Sequence, residues 1–188
     1  MTIEYRQTKQ LMQLFIASES LFFAALIIAF VYFQNLTDNW PVLSRDLEVG
    51  RTAVFSVFLF SSSFTLDLAG KSFRKGNKNG ALFFLLLTIL LGSIFLVGQL
   101  TEYYALFQKE VRVNSDIFGS AFFTLTGFHG FHVLVGLLIL SVYFILLRHN
   151  RLDFVRQSPP LLAFEWYWHF VDFVWVFVFS IVYLKPLL

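Results

Sequence analysis

Long apolar stretches alternate with short polar connections along this chain, and five of the stretches are long enough to cross a bilayer. They run roughly Leu11–Phe33, Thr52–Gly70, Ala81–Tyr104, Ile117–Leu147 and Leu161–Leu184. The pattern predicts an all-α integral membrane bundle of five transmembrane helices, a single membrane domain over residues 1–188. The fourth stretch would be about 46 Å long at 1.5 Å per residue, against a hydrocarbon core of about 30 Å. It should tilt or project beyond the lipid. The connections hold Asn35, Trp40-Pro41, the basic run Lys71–Lys78 and Ser158-Pro159-Pro160, with no soluble domain, repeat or low-complexity segment. The first stretch follows a charged N-terminus but is of full spanning length and lacks a small-residue cleavage site, so it reads as a retained helix.

Polar positions inside the apolar stretches carry the next layer of information. The fifth contains Phe164-Glu165-Trp166-Tyr167-Trp168-His169-Phe170-Val171-Asp172, with three ionisable side chains at membrane depth. At about 100° per residue, Glu165, His169 and Asp172 fall within roughly a 60° arc of one helix. A charge at that depth costs several kcal/mol, so this face must meet a polar partner in this subunit or another. Glu19 lies in the first stretch, Asp67 in the second, Glu102 in the third, and His129 and His132 in the fourth. His129 and His132 are three residues apart and share one helix surface. Ser120, Thr124 and Gly127 form a small-residue stripe opposite them, of the kind that lets helices approach closely in lipid.

Each polar group has two readings. Glu19 is either a proton-linked or inter-subunit carboxyl, or a structural one bonded to His or Ser on a neighbouring helix. His129 and His132 either pair with carboxyls across helices or ligate a metal with Glu19, Glu165 or His169. A two-metal carboxylate site needs Glu-x-x-His on two helices, and that motif is absent. Ser61, Ser62, Ser63 and Thr65 bond within the second helix or to a neighbour. The basic loop marks the cytoplasmic side, or also holds anionic lipid headgroups.

Composition narrows the class. Of 188 residues, 57% are hydrophobic and only 14% charged, against about 25% charged in a soluble domain. The absence of Cys excludes disulfides, thiolate metal sites and iron–sulfur clusters. A net charge of +2 gives no argument for nucleic acid. No Cys-x-x-Cys-His haem attachment, helix histidine arrangement for two haems or phosphate-binding loop occurs, so redox chemistry or nucleotide hydrolysis by this chain alone is not expected. Nine Lys and Arg fall on the side of the N-terminal tail, second loop and fourth loop, and five on the other. The N-terminus should therefore be cytoplasmic and the C-terminus outside.

Four segments in order resemble subunit III of the haem-copper oxidases, the cytochrome c oxidase subunit 3 family. They are Leu14-Phe15-Ile16-Ala17-Ser18-Glu19-Ser20-Leu21-Phe22-Phe23, Gln99-Leu100-Thr101-Glu102-Tyr103-Tyr104, Phe118-Gly119-Ser120-Ala121-Phe122-Phe123 running into Gly127-Phe128-His129-Gly130-Phe131-His132-Val133, and Trp166-Tyr167-Trp168-His169-Phe170-Val171-Asp172 with Trp175. The resemblance implies a five-helix bacterial form in the cytoplasmic membrane, a non-catalytic subunit of an oxygen-reducing, proton-translocating oxidase of aerobic respiration. It implies no cofactor or metal in this chain, haem and copper in partner subunits, direct contact with haem-bearing subunit I, association with subunit II, and bound phospholipid. Glu19 matches the family's membrane carboxyl facing subunit I. Glu102, His129, His132, His169 and Asp172 match signature positions, implying inter-helix hydrogen bonds and lipid contacts. The long family form has seven helices, and this chain matches the last five. Glu165 directly precedes the Trp-Tyr-Trp-His run, whereas the family's Glu lies further ahead. A quinol oxidase or a nitric-oxide-reductase-associated relative is the nearest alternative. A metalloenzyme or ion carrier built on Glu19, His129 and His132 is the alternative of another class.

Overall fold

The computed structural model describes residues 3–37, 40, 47–113, 116–151 and 158–185. Five helices account for nearly all of them: α1 Ile3–Leu36, α2 Val49–Arg74, α3 Lys78–Gln108, α4 Ile117–Arg148 and α5 Ser158–Phe179. A π-helical turn, Ser180–Leu184, prolongs α5. No strand occurs among the described residues, and all five helices are long and apolar enough to cross a membrane. The all-α membrane bundle expected from hydropathy is what the chain forms.

Local chemistry sets the ends of the helices. Gly76 takes φ +70° just after α2, a left-handed conformation that costs least at glycine, and stops the helix. Asn77 opens α3 by accepting a bond from the Gly80 amide, and Asp116 opens α4 by accepting from Gly119. At the far end of α4, Lys78 Nζ donates to the Arg148 carbonyl at 3.0 Å and to Asn150 Oδ1 at 2.6 Å. That contact satisfies a terminal carbonyl and ties the start of α3 to the end of α4.

The most extensive helix contact joins α2 to α3, and α5 packs on α1, α2 and α4. Trp168 and Trp175 fill the centre and are almost fully buried. The Trp168 indole lies so close to Gly136 of α4 and Gly92 of α3 that a Cβ at Gly92 would stand 3.2 Å from the ring. Small residues on two helices thus make room for one large ring on a third. α1 is the peripheral helix: 11% of its most apolar stretch is buried, against 56% for α5.

Candidate functional site

The polar stripe of α5 finds its partners on α2. The helices run antiparallel, so the contacts climb in opposite numerical order. Arg74 meets both oxygens of Glu165 at 3.4 Å. His169 Nε2 lies 3.0 Å from Asp67 Oδ1. Ser63 donates to Asp172 Oδ2. On the adjoining faces, Trp168 Nε1 donates to Ser62 Oγ at 3.0 Å and Trp175 Nε1 to Ser56 Oγ at 2.8 Å. The serine hydroxyls are doubly used: Ser56 also donates to the Thr52 carbonyl and Ser62 to that of Leu59. Each hydroxyl donates into its own helix and accepts from an indole, the only arrangement open to a buried N–H donor facing a Ser. The two carboxylates and the histidine of the stripe are answered within this subunit. Asp172 Oδ1, however, is buried and makes no bond among the described residues.

A second polar cluster closes the opposite end. Glu102, near the end of α3, accepts from Tyr183 OH at 2.7 Å on one oxygen and from Thr52 Oγ1 at 3.2 Å on the other. Tyr183 belongs to the π-helical turn, whose altered winding sets the register of its ring. Nearby, Gln99 Nε2 donates to the Thr126 carbonyl at 2.7 Å and to Tyr103 OH at 2.9 Å, and Tyr103 OH and Thr126 Oγ1 are 2.8 Å apart. Three helices and the π turn are cross-linked there by buried polar side chains.

The two histidines of α4 have different surroundings. His132 Nε2 is 3.1 Å from Glu19 Oε2 of α1, and its Nδ1 is 2.7 Å from the Phe128 carbonyl. A carbonyl only accepts, so Nδ1 carries a proton. The contact with Glu19 then needs one further proton, on the carboxyl or on Nε2. The pair is one proton-holding unit at the edge of the bundle, with 23% of the Glu19 side chain and 12% of His132 exposed. Tyr167 OH donates to the His132 carbonyl at 2.8 Å and fixes α5 against it. His129 is instead fully buried. Its ring stacks on Trp175 at 4.7 Å and meets the edge of Phe95 at 6.0 Å. Neither of its nitrogens has a hydrogen-bond partner among the described residues.

These positions bear on the metal alternative. His132 and Glu19 meet, but His129 is enclosed by aromatic rings and Glu165 faces Arg74. The four side chains do not converge. Among the described residues no three of His, Asp and Glu gather as a metal site.

Two further surfaces matter. A groove of about 530 Å³ runs between α1 and α4, lined by Leu26, Ala29, Phe30, Phe33, Ser120 and Thr124. Part of the small-residue stripe of α4 therefore faces open space beside α1. Trp40 packs edge-on against both Phe30 and Phe118, its ring centre 5.1 Å from each. At the end of the bundle carrying Arg74 and Arg148, Lys9 lies over the Trp166 ring at 5.2 Å. Lys9, Arg74 and Arg148 thus share one end.

Several partners were not singled out by sequence reasoning: Tyr183 and Thr52 at Glu102, and Gln99 with Thr126. Thr65, expected to bond within the second helix or to a neighbour, does both: it donates to the Ser62 carbonyl and lies 2.8 Å from Thr88 Oγ1. A signal existed for the indole bonds. Trp168 and Trp175 are one heptad apart, and Ser56 and Ser62 recur at nearly that interval on α2. Tyr183 gave none, because the π turn shifts it off the 3.6-residue register.

A bundle of five helices long and apolar enough to cross a membrane, cross-linked by buried carboxyls, hydroxyls and indoles, defines a multi-pass membrane protein. Family comparison makes this specific. The family model of "Cytochrome c oxidase subunit III" matches residues 5–186. The chain is 37% identical over 175 residues to the cytochrome c oxidase subunit 3 of Corynebacterium diphtheriae, covering 90% of this chain and 83% of that one. It is 37% identical to that of Synechocystis, covering 91% and 72%, and 38% identical to that of Loxodonta africana, covering 92% and 67%. The chain belongs to the cytochrome c oxidase subunit III family, the non-redox subunit of the haem-copper oxidases.

Proposed function

We propose that this chain is the redox-silent subunit III of a proton-pumping terminal oxidase in a bacterial cytoplasmic membrane. It packs directly on the haem-bearing subunit I, with subunit II in the same complex, and it stabilises subunit I while supporting proton uptake. Its N-terminus is cytoplasmic, in keeping with the basic residues gathered at the Arg74 end of the bundle. Haem and copper reside in the partners.

The observation that carries this reading is the Glu19–His132 pair. It is a proton-holding unit at membrane depth on the most exposed helix of the bundle, and it lies where a neighbouring subunit can reach it. Glu102, Glu165, His169 and Asp172 then serve as the inter-helix network that keeps α2, α3 and α5 in register beside it, and His129 as an aromatic-packed member of the core. The groove between α1 and α4, about 530 Å³ and mostly apolar, suits a phospholipid acyl chain.

Solubilisation in mild detergent followed by affinity purification of this chain tests the proposal. Reduced-haem absorption bands and a large many-helix partner in stoichiometric yield are the expected result. A colourless chain purifying alone would overturn it.

A further inference from the structure

Few buried polar atoms lack a hydrogen-bond partner among the described residues, and one of them faces a cavity. Gln99 is 7% exposed, and its Oε1 makes no bond among the described residues. Turning the amide round does not cure this. Nε2 donates to the Thr126 carbonyl at 2.7 Å, and a carbonyl only accepts, so the oxygen must point the other way. Nor is there slack on the α4 side, where a Cβ at Gly130 would stand 2.7 Å from Oε1. A buried acceptor left unanswered has given up the water that bonded it in the unfolded chain and gained nothing in return.

The cavity beside it, about 10 Å³, has room for one water molecule. Its walls are Thr52 and Phe55 of α2, Phe95, Gln99 and Glu102 of α3, and Trp175 of α5. Gln99 and Glu102 stand one turn apart on α3 and share a face of it. None of the polar walls has a hydrogen to spare for Gln99 Oε1. The Thr52 hydroxyl donates to Glu102 Oε1 at 3.2 Å, and the Trp175 indole donates to Ser56 Oγ at 2.8 Å. An ionised Glu102 only accepts. Its two hydroxyl donors, Thr52 and Tyr183, use one oxygen each, which leaves the carboxylate room for a further donor. His129, whose nitrogens are also unbonded among the described residues, does not line this cavity.

We propose that this cavity binds one ordered water, which donates one hydrogen to Gln99 Oε1 and the other to the Glu102 carboxylate. The water joins two clusters that side chains alone leave separate: Tyr183, Thr52 and Glu102 on one side, and Gln99, Tyr103 and Thr126 on the other. One hydrogen-bonded chain then ties α2, α3, α4 and the π turn together. The water also fits the chain to either state of the carboxyl. An ionised Glu102 accepts from it, a protonated Glu102 donates to it, and in both states its other hydrogen stays on Gln99. A fixed side-chain donor cannot reverse in this way. A hard cation asks for about six oxygens, and Glu102, Gln99 and Thr52 supply fewer.

A density map of the intact complex, at a resolution that shows ordered waters, decides it. One peak within hydrogen-bond reach of both Gln99 Oε1 and Glu102 is expected. An empty cavity would overturn the proposal, as would a peak bonded to only one of the two, a cation with its cluster of short contacts, or Glu102 closing the gap by donating straight to Gln99. X-ray radiolytic labelling of the same complex gives a second reading, because a trapped water yields hydroxyl radical beside it. Trp175 walls the cavity and Trp168 does not, although both are buried. Trp175 should be oxidised severalfold faster than Trp168 in the wild type and in Glu102→Gln. In Glu102→Leu, whose side chain offers the water no bond, it should be oxidised no faster than Trp168. Equal rates in the wild type, or a wild-type rate in Glu102→Leu, would count against the water. Neither reading involves haem, so the purification test of the subunit III reading is decided separately.

Discussion

The two flanks of α5 are built from different chemistry. Toward α2 it is held by hydrogen bonds in the interior: two indoles on serines, Asp172 on Ser63, and Glu165 on Arg74. Toward α1 it is held by ring contacts, Tyr167 tilted on Phe15 and Phe170 edge-on to Phe23, with Lys9 over the Trp166 ring. The side-chain bond that Glu19 of α1 makes to His132 goes to α4. Directional bonds specify one register, because a shift strands several buried donors at once. Aromatic contacts tolerate small shifts. The α2 side is therefore fixed by directional bonds, and the α1 side by side-chain packing.

That contrast can be tested by mutation. Trp175→Ala removes the ring under His129 and the donor to Ser56, and should cost about 3–5 kcal/mol. On the α1 flank Phe23→Leu should cost less than about 1.5 kcal/mol. Thermal denaturation of the purified complex compares the two, and equal losses would erase the distinction. Next, Glu102→Leu leaves Tyr183 and Thr52 hydroxyls buried without their acceptor, a loss of about 1–3 kcal/mol, while Glu102→Gln keeps one acceptor and should lose less. Urea or heat titration of the two variants reads this difference.

Asp172→Leu is expected to be milder, about 1 kcal/mol, since it deprives Ser63 of its acceptor but also removes an unbonded buried oxygen. Complex yield after detergent extraction measures it. The smallest effect on stability belongs to Glu19→Gln, under about 1 kcal/mol for one side-chain bond in a membrane bundle. Its effect on turnover should be the larger one. Oxygen consumption and subunit stoichiometry measured together separate the two, and normal turnover with full assembly would make Glu19 purely structural.

Much of this architecture was legible in the chain. Twenty apolar residues can satisfy their backbone in lipid only as a helix, so five such runs led directly to five helices. The 60° stripe of Glu165, His169 and Asp172 required a polar partner, and α2 supplies one. The signature segments led to the family. What was not legible is which partner each group takes. His129 and His132 look equivalent by spacing, yet one meets Glu19 and the other an indole face. Helix period gives the direction of a side chain from its own axis. It does not say what lies across the gap.

The sequence by itself therefore determined the number of helices, their membrane setting, the polar stripes and the family, because each follows from local hydropathy, helix geometry or ordered motifs. Only the tertiary structure decided that α2 is the polar counterpart of α5, that a π turn carries Tyr183 to Glu102, and that His169 and Asp67 remain half-exposed. Those outcomes depend on the relative rotation and depth of helices far apart in the chain. That rotation comes from fitting Trp168 against Gly92 and Gly136 and the other rings of the core into one close-packed interior.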